Sequence, residues 1–437
     1  MNIEEIKQAK LKAFEAIDMA REEIISFGKD ILEHPELGFK EKRTSEKLEE
    51  ALKKAGIQEI SHHAVTGLKG WLKKGEGPTT AVIGELDAVL SPEHPCACPE
   101  TGAAHACRHN AQLSGILGCA VGLKAVADKL SGSICFMATP AEEYVEVSWR
   151  ADLRKQGKLQ YLGGKQQLIA EGAFDDVDLA MIVHSETNAP QPRVVVNGSA
   201  SGFIGKNIHF YGKEAHAGGA PWEGINALNA AVLAMTAINS NRETFKDSDN
   251  VRVHPIITKG GDIVNTVPAH VEMESYVRGA NIEAIQDANA KVNRAVQGSA
   301  YAIGAKAQID DLPGYLPLKQ NGYMSELFAA NAGEFFPEYK VERGLPFCGS
   351  TDMGDLSYMM PVIQPTISGF TGTAHSKDFT ICDEDAAYIM PAKLMTATVI
   401  DLMTNDCIQA QSIISAFPGH SKYEYRELWK NIMDERK

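Results

Sequence analysis

The sequence predicts an α/β protein: a mixed, mostly parallel sheet flanked by helices, with a small β-α-β-β-α-β unit inserted into it. Three observations carry this expectation. Over 80–183, short apolar runs alternate with helical patterns. From about Val194 the texture changes to apolar and polar residues in alternation, the mark of half-exposed strands. From Tyr315 the first texture returns, so residues 1–193 and 315–437 are expected to form one domain and 194–314 a second, inserted one.

Each element has its own reason. Ile3, Ile6, Phe14, Ile17, Ile24 and Ile25 recur at helical spacing. A further helix starts at Thr44 and closes at Gly56, with Leu48, Leu52 and Ala55 on one face. Strands are expected at 80–84, 134–138 and 179–183, with helices at 112–130 and 166–171. In the inserted unit, strands at 203–211, 251–258, 271–278 and 308–312 frame helices at 225–239 and 281–303.

A chain of 437 residues exceeds what one hydrophobic core usually serves. With 44% hydrophobic and 23% charged residues, the composition is that of a globular protein with a large core. The net charge of -14 argues against nucleic acid as a partner, because phosphate binding needs surplus Lys and Arg. No apolar run approaches the roughly 20 residues that cross a bilayer. Met1 to Glu5 carry no basic or apolar signal, so a cytoplasmic protein without a membrane partner is expected. Eight cysteines in so long a chain read as buried thiols or metal ligands, not a disulfide scaffold.

The chemistry collects at strand ends. Asp87 follows the strand through Ile83, Glu142 and Glu143 follow the strand through Phe136, and His184 ends the strand through Val183. Open α/β sheets bind ligands beyond the carboxyl ends of their strands. Cys107 and His109 stand one residue apart ahead of a helix; thiolate with imidazole favours zinc or a similar transition metal. Two adjacent glutamates raise each other's pKa, and different duties would account for them: Glu143 binding metal, Glu142 taking a proton from metal-activated water. A solvated turn is the plainer alternative.

Over nearly its whole length the chain resembles the metallopeptidase family that includes carboxypeptidase G, the aminoacylases and the indole-acetyl-amino-acid hydrolases. The motifs are H-P-E-L-G-F at His34, G-E-L-D-A at Gly84, H-A-C-R-H-N at His105 and T-P-A-E-E at Thr139. They continue with G-K-E-A-H-A-G-G-A-P-W-E-G-I-N-A-L at Gly212 and G-S-T-D-M-G at Gly349. The likeness is greatest to the aminobenzoyl-glutamate hydrolase and β-alanyl dipeptidase branch. It implies a zinc-peptidase-like fold and two divalent ions, zinc or manganese, held by Cys107, His109, Glu143, His184 and His375. It further implies Glu142 as general base and acid, with Asp87 orienting the site. The inserted domain would be a lid that forms a homodimer. In it His216 would stabilise an oxyanion, and Asn265 and Arg278 would hold the carboxylate of a small-molecule substrate.

Three features depart from that pattern. Arg108 stands where relatives carry Gly; repelled by cations, it must point away or meet Glu85, Asp87 or the substrate. Residues 90–104 hold His94, Cys96 and Cys98, whose spacing suits a loop with free thiols better than a structural zinc. Residues 144–162 form an insertion in which Trp149 and Arg150 are expected to shape the pocket for an aromatic or anionic substrate, or else to pack on the surface. Amide hydrolysis beside a carboxylate is the expected reaction. Hydrolytic deamination of an aromatic amino-acid-like compound is a second reading, and an inactive metal-binding scaffold a third.

Overall fold

The computed structural model describes residues 1–434, which fall into two compact units. The first comprises Met1–Ser199, Lys319–Pro346 and Asp355–Ser421. The second comprises Ala200–Leu318, Phe347–Gly354 and the chain from Lys422.

The first unit opens with α1 (Ile3–Met19), α2 (Arg21–Glu33) and α3 (Lys42–Lys54). Asn2 caps α1 through a reciprocal pair with Glu5, satisfying two helix-terminal N–H groups. The single helical run expected at the start is thus broken at Ala20. Strands β1 (Gln58–His63), β2 (Gly67–Lys73), β3 (Thr79–Glu85), β4 (Ser133–Thr139) and β5 (Leu179–Met181) join Val362–Ile363 in a six-stranded sheet. Its order is β1-β2-β4-β3-β5-(362–363). The first two pairings in that order, β1/β2 and β2/β4, are antiparallel and the other three parallel. Every residue of β3 and of β4 is buried, as a sheet covered on both faces requires.

Between β3 and β4 runs α4 (His109–Lys124), apolar on all sides and buried along almost its whole length. It packs against the helix Met390–Met403. Gly118 permits that approach: a Cβ there would lie 2.7 Å from the Ala392 Cβ. The segment Asp385–Met403 is 19 residues long with a mean hydropathy of 1.2, a run that apolar patterning alone did not bring out. It passes a membrane-span test by length and composition, yet 89% of it is buried inside the protein.

The insertion read as a loop contains α5 (Val147–Lys155), followed by α6 (Gly164–Glu171). In the second unit, β6 (Gly202–Tyr211), α7 (Ala227–Ser240), β7 (Arg252–Lys259), β8 (His270–Gly279), α8 (Ile282–Ile303) and β9 (Lys306–Tyr315) follow the expected β-α-β-β-α-β order. The antiparallel sheet runs β7-β8-β6-β9. Ile208, Phe210, Val271, Met273 and Val277 meet Ala230, Ala234, Ala288, Val292 and Val296 in its core. The unit also takes in 347–354 and the amphipathic helix Lys422–Asp434, which buries Tyr425, Trp429 and Ile432. By sequence texture both segments belonged with the first domain.

Candidate active site

The sheet of the first unit places its polar strand ends together. Asp87, two residues beyond β3, is fully buried and accepts the Glu143 backbone N–H at its Oδ2 (2.9 Å). The Nδ1 of His109, the first residue of α4, lies 2.8 Å from the Asp87 carbonyl oxygen and 3.3 Å from Asp87 Oδ1. Both neighbours are acceptors, so Nδ1 carries a proton and Nε2 is the nitrogen left to ligate a cation. That Nε2 is buried without a hydrogen-bond partner among the described residues. It faces Glu85 Oε2 at 3.0 Å and Glu142 Oε2 at 3.9 Å.

Cys107 Sγ lies 3.4 Å from His184 Nε2, and His375 Nε2 lies 3.1 Å from Glu143 Oε1. Three groups of donor atoms result, the atoms within each lying within 4.8 Å of one another: Cys107/His109/His184, Cys107/Glu143/His375 and Glu85/His109/Glu142. The first two share the thiol. Left-handed backbone at His375 (φ 64°) and next to the other candidate ligands at Arg108 (φ 67°) and Ala141 (φ 51°) helps to aim the side chains. His375 sits on an irregular segment tied in by its N–H to the Ala106 carbonyl, 2.9 Å away.

Charge in the cluster is strongly perturbed. Burial alone would raise the Cys107 thiol, as would Glu143, but His184 and His109 draw it down to about 6. Burial also opposes ionised Glu143, yet His375 beside it holds it at about 2; Glu143 in turn lifts His375 to about 11. Buried anions that draw protons onto adjacent imidazoles form a strongly negative pocket suited to a cation. The donor set of thiolate, imidazole and carboxylate, with the orphaned His109 Nε2, fits zinc-type divalent ions.

Glu85 joins the cluster although the sequence reading gives it no ligand role. It is 1% exposed, bonded to Lys165 Nζ (2.6 Å) and Gln112 Nε2 (2.8 Å). Burial raises its carboxyl, but Lys165 and then His109 and His184 override this and hold it at about 2. The signal was present: it is the last residue of β3, at the same strand end that Asp87 follows. Glu41 is a further residue that no motif marks. Fully buried, it accepts the Ala141 N–H (2.9 Å) and the Thr66 hydroxyl (2.6 Å).

Two residues expected to bind substrate are placed elsewhere. Arg108, 2% exposed, lays its guanidinium over Phe379 (4.8 Å) with Nη2 3.5 Å from His94; neither Glu85 nor Asp87 is its partner. Its left-handed backbone explains why Gly suits this position. The turn aims Cys107 and His109 into the cluster while Arg108 points away. Arg150 is fully buried, donates from Nη1 to the Leu162 carbonyl (3.0 Å) and stacks on Phe39 (5.3 Å). A side chain sealed in this way braces the insertion against the chain before α3. Trp149 is half-buried beneath Lys40 Nζ, 4.3 Å from the ring centroid. Cys96 and Cys98 are free thiols.

In the second unit His216 is exposed, and its Nδ1 accepts the Gly219 (2.8 Å) and Gly218 (3.2 Å) backbone N–H groups. A neutral ring so held carries its proton on Nε2, a donor facing outward. His216 bridges to Thr266, and the Ala217 N–H donates to the Asn265 carbonyl (2.8 Å), so His216 and Asn265 share one end of the sheet. Arg278 lies at the other end of β8, bonded to Ser350 Oγ (2.5 Å) and flanked by Phe203 and Tyr276. Eight residues of strand, roughly 25 Å, separate it from His270. Asn265 and Arg278 of one chain therefore do not converge on one carboxylate.

This fold and donor set define a metal-dependent hydrolase acting on C–N bonds. Residues 198–302 match the peptidase dimerisation domain. The Xaa-Arg dipeptidase of Mus musculus is 29% identical over 419 residues, covering 91% of this chain and 90% of the relative. The N-acetylcysteine deacetylase of Bacillus subtilis is 26% identical over 309 residues, 68% of this chain and 76% of the relative. A solved Bacillus subtilis structure, described as a dinuclear metal binding peptidase from the M20 family, superposes with a TM-score of 0.67 at 22% identity. It covers 88% of this chain and 99% of that one. The chain carries a match to the peptidase dimerisation domain, and the relatives and the solved structure it is similar to are peptidases and amidohydrolases.

Proposed function

We propose that the protein hydrolyses an amide C–N bond next to a carboxylate, in a dipeptide, N-acyl amino acid or aminobenzoyl-glutamate type of substrate. The observation that carries this reading is the buried His109 Nε2, without a hydrogen-bond partner among the described residues and grouped with the donor atoms of Cys107 and His184 and of Glu85 and Glu142. Cys107, His109, Glu143, His184 and His375 would hold two divalent ions, zinc or manganese. When bound, such ions lower the pKa of water toward 7 and polarise a carbonyl.

The chain's own groups supply the rest. Asp87 fixes His109 in the tautomer that presents Nε2. Glu142 takes a proton from the attacking water and returns it to the leaving amine nitrogen. The Nε2–H of His216 donates to the oxygen of the tetrahedral intermediate, and Arg278 binds the substrate carboxylate through its planar fork. Residues 194–314 act as the lid and dimerisation domain. Because Asn265 and Arg278 lie at opposite ends of one sheet, a single substrate meets both only when two copies contribute, which supports a homodimer. The test is Glu142→Gln: metal content is expected to stay at the wild-type value while turnover falls roughly 10²–10⁴-fold. Near-normal turnover would remove Glu142 from the mechanism.

A further inference from the structure

The geometry points to a second, separate metal site in the other unit, formed by His209, His270 and Glu272 and suited to zinc or a similar borderline cation. Strands β6 and β8 pair with Tyr211 opposite His270 and His209 opposite Glu272. All three residues stand on the sheet face away from α7 and α8, since Ile208, Phe210, Val271 and Met273 alternate with them into the core.

Their donor atoms converge. His209 Nδ1 lies 3.3 Å from His270 Nε2, and His270 Nε2 lies 3.6 Å from Glu272 Oε1. One donor atom from each of the three lies within 4.8 Å of the others. Zinc bonds of about 2.0–2.1 Å to nitrogen and oxygen put tetrahedral neighbours roughly 3.3–3.4 Å apart. The two measured separations meet that requirement with only small side-chain adjustment. The rings are also held in place: Tyr211 stacks on His270 at 5.0 Å and 1°, and His209 on His270 at 5.6 Å and 15°. Lys259 pairs opposite Glu272 but is drawn to Asp262 at 3.5 Å, leaving the carboxylate for the cation. Partial exposure leaves the fourth position to water.

The location gives the site a consequence. β6 leads directly into the segment carrying His216, and the segment carrying Asn265 leads directly into β8. Those two segments are themselves paired: Gly212 N–H to the Ala269 carbonyl (2.7 Å) and Val267 N–H to the Ala215 carbonyl (3.0 Å). A cation at His209, His270 and Glu272 clamps their common root, so occupancy governs how rigidly His216 and Asn265 are presented. That consequence rests on the roles proposed for those two residues; the metal site does not.

The test uses the full chain with its first-unit sites loaded, titrated with zinc by calorimetry and checked by elemental analysis. Wild type is expected to take up one further equivalent per chain, lost in His209→Ala and again in His270→Ala. Circular dichroism and the tightly held metal content should match wild type in both variants. Glu272→Gln, the more conservative change, is expected to weaken that equivalent with both imidazoles retained. Equal zinc uptake by wild type and the two histidine variants overturns the proposal. Loss of hydrolysis in wild type with the extra equivalent intact would instead fault the functional reading alone.

Discussion

Lys165→Met tests the buried pair behind the cluster. Lys165 Nζ lies 2.6 Å from Glu85 Oε1, with the two side chains 0% and 1% exposed. Taking one partner from a buried pair leaves the other charge uncompensated, at a cost of about 3–5 kcal/mol. The Glu85 carboxyl gives an independent figure. Held at about 2 against an ordinary 4.5, it carries roughly 3 kcal/mol of stability at neutral pH. A depressed carboxyl pKa stabilises above the unfolded value, and that stability is lost as pH falls from 4.5 through about 2. The two figures agree, so urea denaturation of the metal-free protein at pH 7 should show Lys165→Met destabilised by about 3–5 kcal/mol. The gap should narrow as pH drops through the carboxyl range. Adding Glu85→Gln removes the stranded charge, and the double variant should recover to within about 1–2 kcal/mol of wild type. A single variant costing less than about 1 kcal/mol, or a double variant as unstable as the sum of the singles, would refute this account of the pair.

Three other outcomes follow from the geometry. His216→Ala removes a donor held in one tautomer by Gly219, and kcat should fall roughly 10²–10³-fold with metal content unchanged; a fall confined to KM would argue against an oxyanion role. Gly38→Ala puts a Cβ 2.7 Å from the Ala141 Cα and 2.3 Å from Arg150 Nη2. The backbone just ahead of Glu142 must shift, so kcat is expected to drop by about tenfold or more at unchanged metal content, and unaltered kinetics would show the contact to be slack. Chelated protein re-loaded with zinc should release protons. His375, lifted to about 11 beside Glu143, is protonated at pH 7 in the metal-free protein and must lose that proton to ligate. Calorimetry in buffers of differing ionisation heats measures the release, and buffer-independent heats would contradict it.

Much of the fold was legible because periodicity is a local property. The β-α-β-β-α-β order of 202–315 follows from alternation and helical spacing alone, and so do β3, β4 and α4. Where sequence patterning misled, a contact distant in sequence decided. Residues 147–155 became a helix braced by Arg150 against Phe39, and the helix from Lys422 joined the second unit by burying Tyr425 and Trp429. Asp385–Met403 shows the converse: no apolar run stood out there, yet the helix is apolar enough that burial among its neighbours is what marks it as core.

By itself the sequence determined which residues could reach the sheet's carboxyl edge. Strand ends carry Asp87, Glu142, Glu143 and His184 there, and the Cys107-x-His109 spacing marks a ligand pair. Tertiary structure alone decided the rest. It set His109's tautomer through the Asp87 carbonyl, brought His375 from a distant loop to Glu143, and joined Lys165 to Glu85 across 80 positions of sequence. It also laid Arg108 over Phe379 and bonded Arg150 to the Leu162 carbonyl. The reason is physical: periodicity sets which face a side chain takes, whereas its protonation and its partner depend on what folding buries against that face.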